Sequence, residues 1–196
     1  MTTYENEKNV SIIQTTNSDS DFVRETNIAI STHSGTHIDA PSHFLKDGKS
    51  LDDIGLEKLI GPCVVFNLMH VDKKITKENL EKFDINENAI VLLKTKNSEI
   101  DSKDTFHSDF IALDESAAQF LVDKKIKAVG IDYLGIESEN PEYNVHKLLL
   151  SNDILIIEGL RLQHVESGNY TLFCLPLKLV KTEAALARAI LIKEVL

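Results

Sequence analysis

This chain of 196 residues contains no tryptophan, two cysteines, four prolines and eight glycines. Two cysteines cannot build the multi-bridge framework that holds small secreted domains together. Cys63 and Cys174 lie in the apolar runs Pro-Cys-Val-Val and Leu-Phe-Cys-Leu, so they read as small core hydrophobes, with a single disulfide as the other reading. No hydrophobic run is long enough to span a bilayer. The first thirty residues lack the sustained apolar stretch after a basic start that marks a secretory signal, which makes the cytoplasm the default location. Positive charge is also scarce: 21 Lys and Arg against 31 Asp and Glu give a net charge of −10. That balance argues against nucleic acid and anionic membranes as partners. No repeat, low-complexity tract or linker divides residues 1–196, so one domain of ordinary size is expected.

The 42% apolar content suffices for a sizeable core. Short apolar runs predict strands at Val10–Gln14, Val23–Ile30, Cys63–Met69, Ala89–Leu93, Ala128–Ile131 and Ile154–Ile157. Tyr170–Val180 is strand-rich with a break near Pro176, and Ala189–Lys193 reads as a last strand. Asn17–Asp21 and Lys46–Ser50 are polar turns, and Lys94–His107 is expected to be looped. Leu56–Ile60 reads as one helical turn stopped by Gly61-Pro62. Thr76–Phe83 has a helical pattern with Thr76 as N-cap. Asp114–Lys125 places Ala117, Ala118, Leu121 and Val122 on one helical face, and Glu142–Leu150 is a shorter helix. Strands at the start followed by strand–helix alternation predict an α/β fold with a mixed β-sheet and flanking helices.

The chemistry concentrates in His33-Ser-Gly-Thr-His37-Ile-Asp39-Ala-Pro-Ser-His43, where three histidines and an aspartate fall within eleven residues. Imidazole nitrogens and carboxylate oxygens are ligands for zinc and manganese. His37 and Asp39 are two apart, so in an extended segment they project to the same side. Ser34-Gly35-Thr36 and Pro41 are poor helix interior, which favours an extended turn folded around an ion at Gly35. His33, His37 and Asp39 are then candidate ligands, with His43 left over for chemistry. The bland alternative is a polar surface loop, in which four ligand-type side chains would waste their burial.

Further ligands must come from elsewhere. Glu158 ends the apolar run 154–157, either as a ligand at the carboxyl end of a strand or as a charge that merely ends it. Asp132, after Val129-Gly-Ile131, is a rival ligand or a supporting partner. His146 beside Lys147 reads by itself as a solvent-facing helix residue, and His70, His107 and His164 as surface or edge histidines.

The run from His33 to Phe44 resembles the signature of the cyclase-like metal-dependent hydrolase family, which includes bacterial kynurenine formamidase and isatin hydrolase. Leu59-Ile-Gly-Pro62, Val129-Gly-Ile-Asp-Tyr133, His146-Lys-Leu-Leu149, Ile156-Ile-Glu-Gly159 and Leu175-Pro-Leu-Lys178 follow in the family's order, so the resemblance extends from about Phe22 to the C-terminus. It implies a swivelling β/β/α domain, dimeric or tetrameric, with its site close to a subunit interface. It implies that His33, His37 and Asp39 hold a first divalent ion. Asp39 then bridges to a second ion completed by His146 and Glu158, and His43 is the acid/base. Zinc is the expected ion, as one or two, with manganese used by some relatives.

The chain departs from the family in two respects. Formamidases of the family resemble one another in an N-terminal tryptophan near the substrate's ring, and nothing here matches it. Members usually open with a strand containing Asp-Leu-Ser/Thr-His, so this chain is expected to lack an edge strand and part of the substrate wall, with Phe22 as a candidate aromatic surface. The implied activity is hydrolysis of carbon–nitrogen bonds in small amides, as in an arylformamidase of tryptophan catabolism acting on N-formylkynurenine. The alternatives are a hydrolase of cyclic amides or lactones and a metal-binding protein without catalysis. The spare His43 argues against the last, because a purely structural site closes its coordination sphere.

Overall fold

The computed structural model describes residues 10–16, 23–100, 106–138 and 141–193. The strands are β1 Ser11–Gln14, β2 Thr26–Ala29, β3 His37–Asp39, β4 Ile60–Asn67, β5 Lys74–Ile75, β6 Ile90–Lys94, β7 Ala112–Leu113, β8 Ala128–Ile131, β9 Leu155–Glu158, β10 Gly168–Pro176 and β11 Ala184–Ile192. The helices are α1 Lys77–Leu80, α2 Glu115–Asp123 and α3 Asn144–Ser151. Seven strands close into a barrel in the order β10-β11-β3-β9-β8-β6-β4. β4, β6, β8 and β9 run parallel to one another, while β3, β11 and β10 complete the ring by antiparallel pairing. The expected mixed sheet is present and is closed on itself.

Alternation along the strands splits the core in two. Ile90 and Leu92 of β6 point into the barrel with Ile38, Val65, Leu155, Ile157 and Leu172. Val91 and Leu93 point outward, with Val129, Ile131 and Ile156, against Ala117, Ala118 and Leu121 of α2 and Leu149 and Leu150 of α3. Both faces are therefore buried, which is why these strands read as continuous apolar runs rather than alternating ones. Gly130 faces the crowded interior: a Cβ there would stand 2.6 Å from Leu92 Cδ2 and 2.7 Å from Leu160 Cδ1. Cys63 and Cys174 are free and buried, and burial pushes both thiols up to about 12.

Local signals account for the helix starts. Thr76 and Asn79 form a capping box on α1, and Asp114 Oδ1 accepts the Ala117 N–H, 2.9 Å, to open α2. Several boundaries differ from expectation. The turn at Leu56–Lys58 ends before Ile60, and Gly61 and Pro62 lie inside β4. Pro62 is tolerated there because pairing to β6 begins only at Cys63. The last strand begins at Ala184 rather than Ala189, and the His37–Asp39 turn is a barrel strand. The 94–107 region holds a short 3-10 helix at Lys96–Glu99, with 101–105 outside the described residues. Phe22 and the Asn17–Asp21 turn also lie outside them. Among the described residues no helix is long and apolar enough to cross a membrane.

Candidate metal centre

The three-residue strand β3 does most of the assembly. Ile38 points into the barrel, so His37 and Asp39 point out together toward α3. Register places His37 directly opposite Glu158, the last residue of β9. The turn before β3 brings in His33. Gly35 takes φ +61°, and the chain leaving β9 passes so close that a Cβ on Gly159 (φ +66°) would lie 2.0 Å from the Gly35 carbonyl oxygen. Thr36 Oγ1 donates to the Gly159 carbonyl at 2.7 Å and ties the two segments together.

His33 Nδ1 stands 3.1 Å from Asp39 Oδ1, and His37 Nε2 is 3.5 Å from Asp39 Oδ1 and 3.3 Å from Glu158 Oε2. His146 Nε2 is 3.4 Å from Glu158 Oε1. Two overlapping groups result, His33–His37–Asp39 and Asp39–His146–Glu158, each with ligand atoms within 4.8 Å of one another. The structure thus brings together all five residues expected to hold metal. His37, Asp39, His146 and Glu158 are buried, so His146 does not face solvent.

The donor set fits a cation. His37 Nε2 and both Asp39 carboxylate oxygens are buried without a hydrogen-bond partner, an arrangement that is costly unless a positive charge lies among them. The proton positions agree. His37 Nδ1 faces the Gly35 carbonyl oxygen at 2.9 Å and His146 Nδ1 faces Glu137 Oε2 at 2.9 Å, which leaves each Nε2 lone pair for the cluster. Burial opposes charge on these imidazoles, but without a cation the carboxylates prevail. Glu158 and Asp39 hold His37 at about 9, and Glu137 with Glu158 holds His146 at about 10. Burial likewise opposes ionisation of Glu158, yet His146 and His37 keep its carboxyl far below the usual range.

His43 stands apart from both groups. It ends the 3-10 turn Pro41–His43, with its ring centroid 4.2 Å from His33 and 6.3 Å from His146. Burial lowers its pKa and the neighbouring imidazoles reinforce this, against Asp39. His43 is therefore a neutral imidazole at neutral pH, able to accept a proton.

Asp132 does not join the cluster. It is buried, and its carboxylate accepts from the Thr95 N–H (2.7 Å) and hydroxyl (2.8 Å) and from the Ser98 N–H (3.1 Å) and hydroxyl. A strand end offers both roles, and the turn at 95–98 claims this one. His70, His107 and His164 are exposed, as expected.

Four further residues escaped sequence reasoning. Glu137 accepts both the His146 ring and its backbone N–H (3.2 Å), which caps α3. Glu183 Oε1 lies 3.4 Å from His33 Nε2 and accepts from Thr32 Oγ1 at 2.7 Å. Phe44 packs among His43 (edge-on, 4.1 Å), Tyr143 (tilted, 4.8 Å) and His146 (tilted, 4.7 Å), and Tyr143 itself is exposed. The carboxylates carry no local pattern. Phe44, directly after His43, was the one with a signal.

Comparison with known proteins finds related chains and folds. The profile of the family described as "Putative cyclase" matches residues 2–138. Cyclase-like protein 1 of Arabidopsis thaliana is 37% identical over 181 residues, covering 88% of this chain and 71% of that protein. Kynurenine formamidase of Erythrobacter litoralis is 34% identical over 165 residues, covering 84% and 74%. Among solved structures, a "potential metal-dependent hydrolase with cyclase activity" superposes with TM-score 0.86 at 44% identity, covering 97% of this chain and 90% of that one. Isatin hydrolase A from Labrenzia aggregata, bound to benzyl benzoate, gives 0.83 at 26% identity, covering 94% and 84%.

Proposed function

This chain belongs to the "Putative cyclase" family, and from that membership and the site geometry we propose that it is a metal-dependent hydrolase of carbon–nitrogen bonds in small amides. The carrying observation is the Asp39 carboxylate, whose two buried oxygens have no hydrogen-bond partner among converging imidazoles. His33, His37 and Asp39 would hold one divalent ion, and Asp39, His146 and Glu158 would hold a second; zinc suits this nitrogen–oxygen set and manganese is the alternative. When bound, the ion supplies Lewis acidity, which makes water a nucleophile near neutral pH and stabilises negative charge developing on the substrate oxygen.

The protein's own groups do the remainder. His43, neutral at rest, takes a proton from the attacking water and returns it to the leaving nitrogen; such a histidine contributes ~10²–10⁴-fold. Glu137 and the Gly35 carbonyl fix the orientations of His146 and His37. Phe44 and the exposed Tyr143 offer an aromatic wall beside His43, in a chain without tryptophan. That wall suits an aryl amide. It equally suits a fused cyclic amide of the kind implied by the name of the isatin hydrolase relative, and this is the second reading.

The test is a panel of formanilides, cyclic amides and lactones, assayed with added zinc or manganese, alongside elemental analysis. We expect bound metal and turnover of formanilides. Turnover of cyclic amides alone selects the second reading, and bound metal with no turnover of any of them overturns the hydrolase. His43→Ala should retain metal and lose ~10²–10⁴ in kcat; parallel loss of metal would make His43 a ligand. Glu158→Ala should lower the metal-to-protein ratio, and an unchanged ratio would remove Glu158 from the site.

The active assembly we propose is a homodimer or homotetramer. β1 and β2 form a two-stranded arm outside the barrel, with Ile12 67%, Ile13 59% and Ile28 63% exposed. An isolated hairpin is marginal in water, and a second copy covers it.

A further inference from the structure

We propose that the edge of β11 beyond the end of β3, unpaired among the described residues, seats an extended strand of another polypeptide, one whose alternate side chains are apolar and whose outward side chains are acidic. β11 spans nine residues, whereas β3 pairs only with Ala184–Leu186. One more bond follows, from the Ala187 N–H to the Thr36 carbonyl at 2.9 Å, and then β3 has ended. In an antiparallel ladder a residue sends its N–H and C=O to the same neighbour, and successive residues alternate. Leu186, whose carbonyl accepts from the Leu177 N–H at 2.9 Å, faces the β10 side, and Ala187 faces the β3 side. Ala189 and Leu191 therefore turn their backbone groups to the β3 side, beyond its end. Among the described residues nothing pairs with them there.

Those groups border a cavity of about 540 Å³. Leu92, Leu160, Leu162, Leu172 and Leu191 form the apolar part of its wall, and Ser34, Thr36, Arg161 and Arg188 are among the polar part. Leu92 and Leu172 are inward-facing barrel residues, so the slot opens on the barrel interior. An unpaired edge beside apolar pockets is the geometry of strand addition, in which main-chain bonds give affinity and alternate side chains give selectivity.

Charge specifies the occupant further. Arg161 and Arg188, two of the chain's three arginines, stand at this slot in a protein of net charge −10. Both are exposed. Arg188 has no ion pair or hydrogen bond among the described residues, and Arg161 has only a long contact, 3.4 Å, from Nη1 to the Ile100 carbonyl. Among the described residues neither is matched by an acidic side chain, so a strand carrying carboxylates on its outer side complements them.

The probe is a labelled, end-capped peptide of about eight residues, close to an ordinary strand length, with Val at alternate positions and Glu and Thr between. Fluorescence anisotropy with the full chain should show saturable binding, and amide exchange at Ala189 and Leu191 should slow by at least about tenfold on saturation. N-methylation of the edge-facing peptide nitrogens should cost at least about tenfold in affinity, and Lys in place of Glu should weaken it several-fold. Ala189→Pro removes an N–H that the β10 ladder does not use, so the fold should survive while binding is lost. Should that variant misfold, Val165→Trp fills the slot from a half-buried lining position and should block binding equally. No binding at millimolar peptide, undiminished binding of the N-methylated peptide, or unchanged exchange at Ala189 and Leu191 overturns the proposal. None of these readouts depends on hydrolase activity.

Discussion

One oxygen of Glu137 serves both the ring and the backbone N–H of His146, so a single carboxylate caps α3 and aims its imidazole. Glu137→Gln keeps the shape but exchanges an anionic acceptor for a neutral amide. Metal affinity should fall by about 10–100-fold, read by competition with a chromophoric chelator, while kcat per bound metal stays near wild type. A fall in kcat per metal with unchanged affinity would show that Glu137 acts on substrate instead. Asp132 illustrates the opposite assignment, because its four accepted hydrogen bonds leave nothing for an ion. Asp132→Asn turns an amide donor toward donors and should cost about 1–3 kcal/mol of stability, measured by urea unfolding, with metal content unchanged.

At the level of elements, the site depends on two segments crossing at near-contact. The chain leaving β9 and the turn entering β3 meet at Gly159 and Gly35, both at positive φ. Gly159→Ala places a methyl on the Gly35 carbonyl oxygen, the group that faces His37 Nδ1. The backbone strain alone is worth about 1–3 kcal/mol, and relief requires the histidine turn to move. The variant should therefore lose thermal stability and metal together. Retention of full metal content in a destabilised protein would show that the turn gives way without disturbing His37.

For the whole molecule, the cluster makes stability depend on pH in a manner that metal should reverse. In the metal-free protein His37 and His146 titrate at about 9 and about 10, above their ordinary value. The folded state thus binds more protons than the unfolded state above about pH 6.5, the ordinary histidine value, and stability falls as pH rises through the folded values. Glu158 is shifted down, so its contribution is present above the usual carboxylate range and fades as pH falls. Metal-free protein should lose Tm between pH 7 and 10, as read by calorimetry. With metal bound the imidazoles are already deprotonated, and the same scan should be nearly flat. The arm makes the other whole-molecule prediction: replacing Ile12 and Ile28 with Lys should yield a folded monomer by sedimentation, and an oligomer that persists would place the interface elsewhere.

The sequence alone determined whatever is local in physical origin. Spacing of two put His37 and Asp39 on one side, Gly35 marked the turn, and Thr76 and Asp114 marked helix starts because capping acts within a few residues. It also announced strands such as Ala128–Ile131, because burial on both faces makes the whole run apolar. Resemblance to relatives, not spacing, pointed to His146; read alone, its neighbour Lys147 suggested solvent. Spacing likewise left Glu158 and Asp132, which both follow apolar strands, as rivals, and the resemblance pointed to Glu158; only the tertiary structure decided closure of the sheet into a barrel, the full length of β11, and what occupies Asp132 instead. Those outcomes depend on which strand lies beside which: β9 faces His37 through register, while the segment after β8 faces Thr95 and Ser98. Pairing between residues more than a hundred positions apart leaves no trace in local composition, and neither do Glu137 and Glu183, whose roles exist only because the fold carries an imidazole to each.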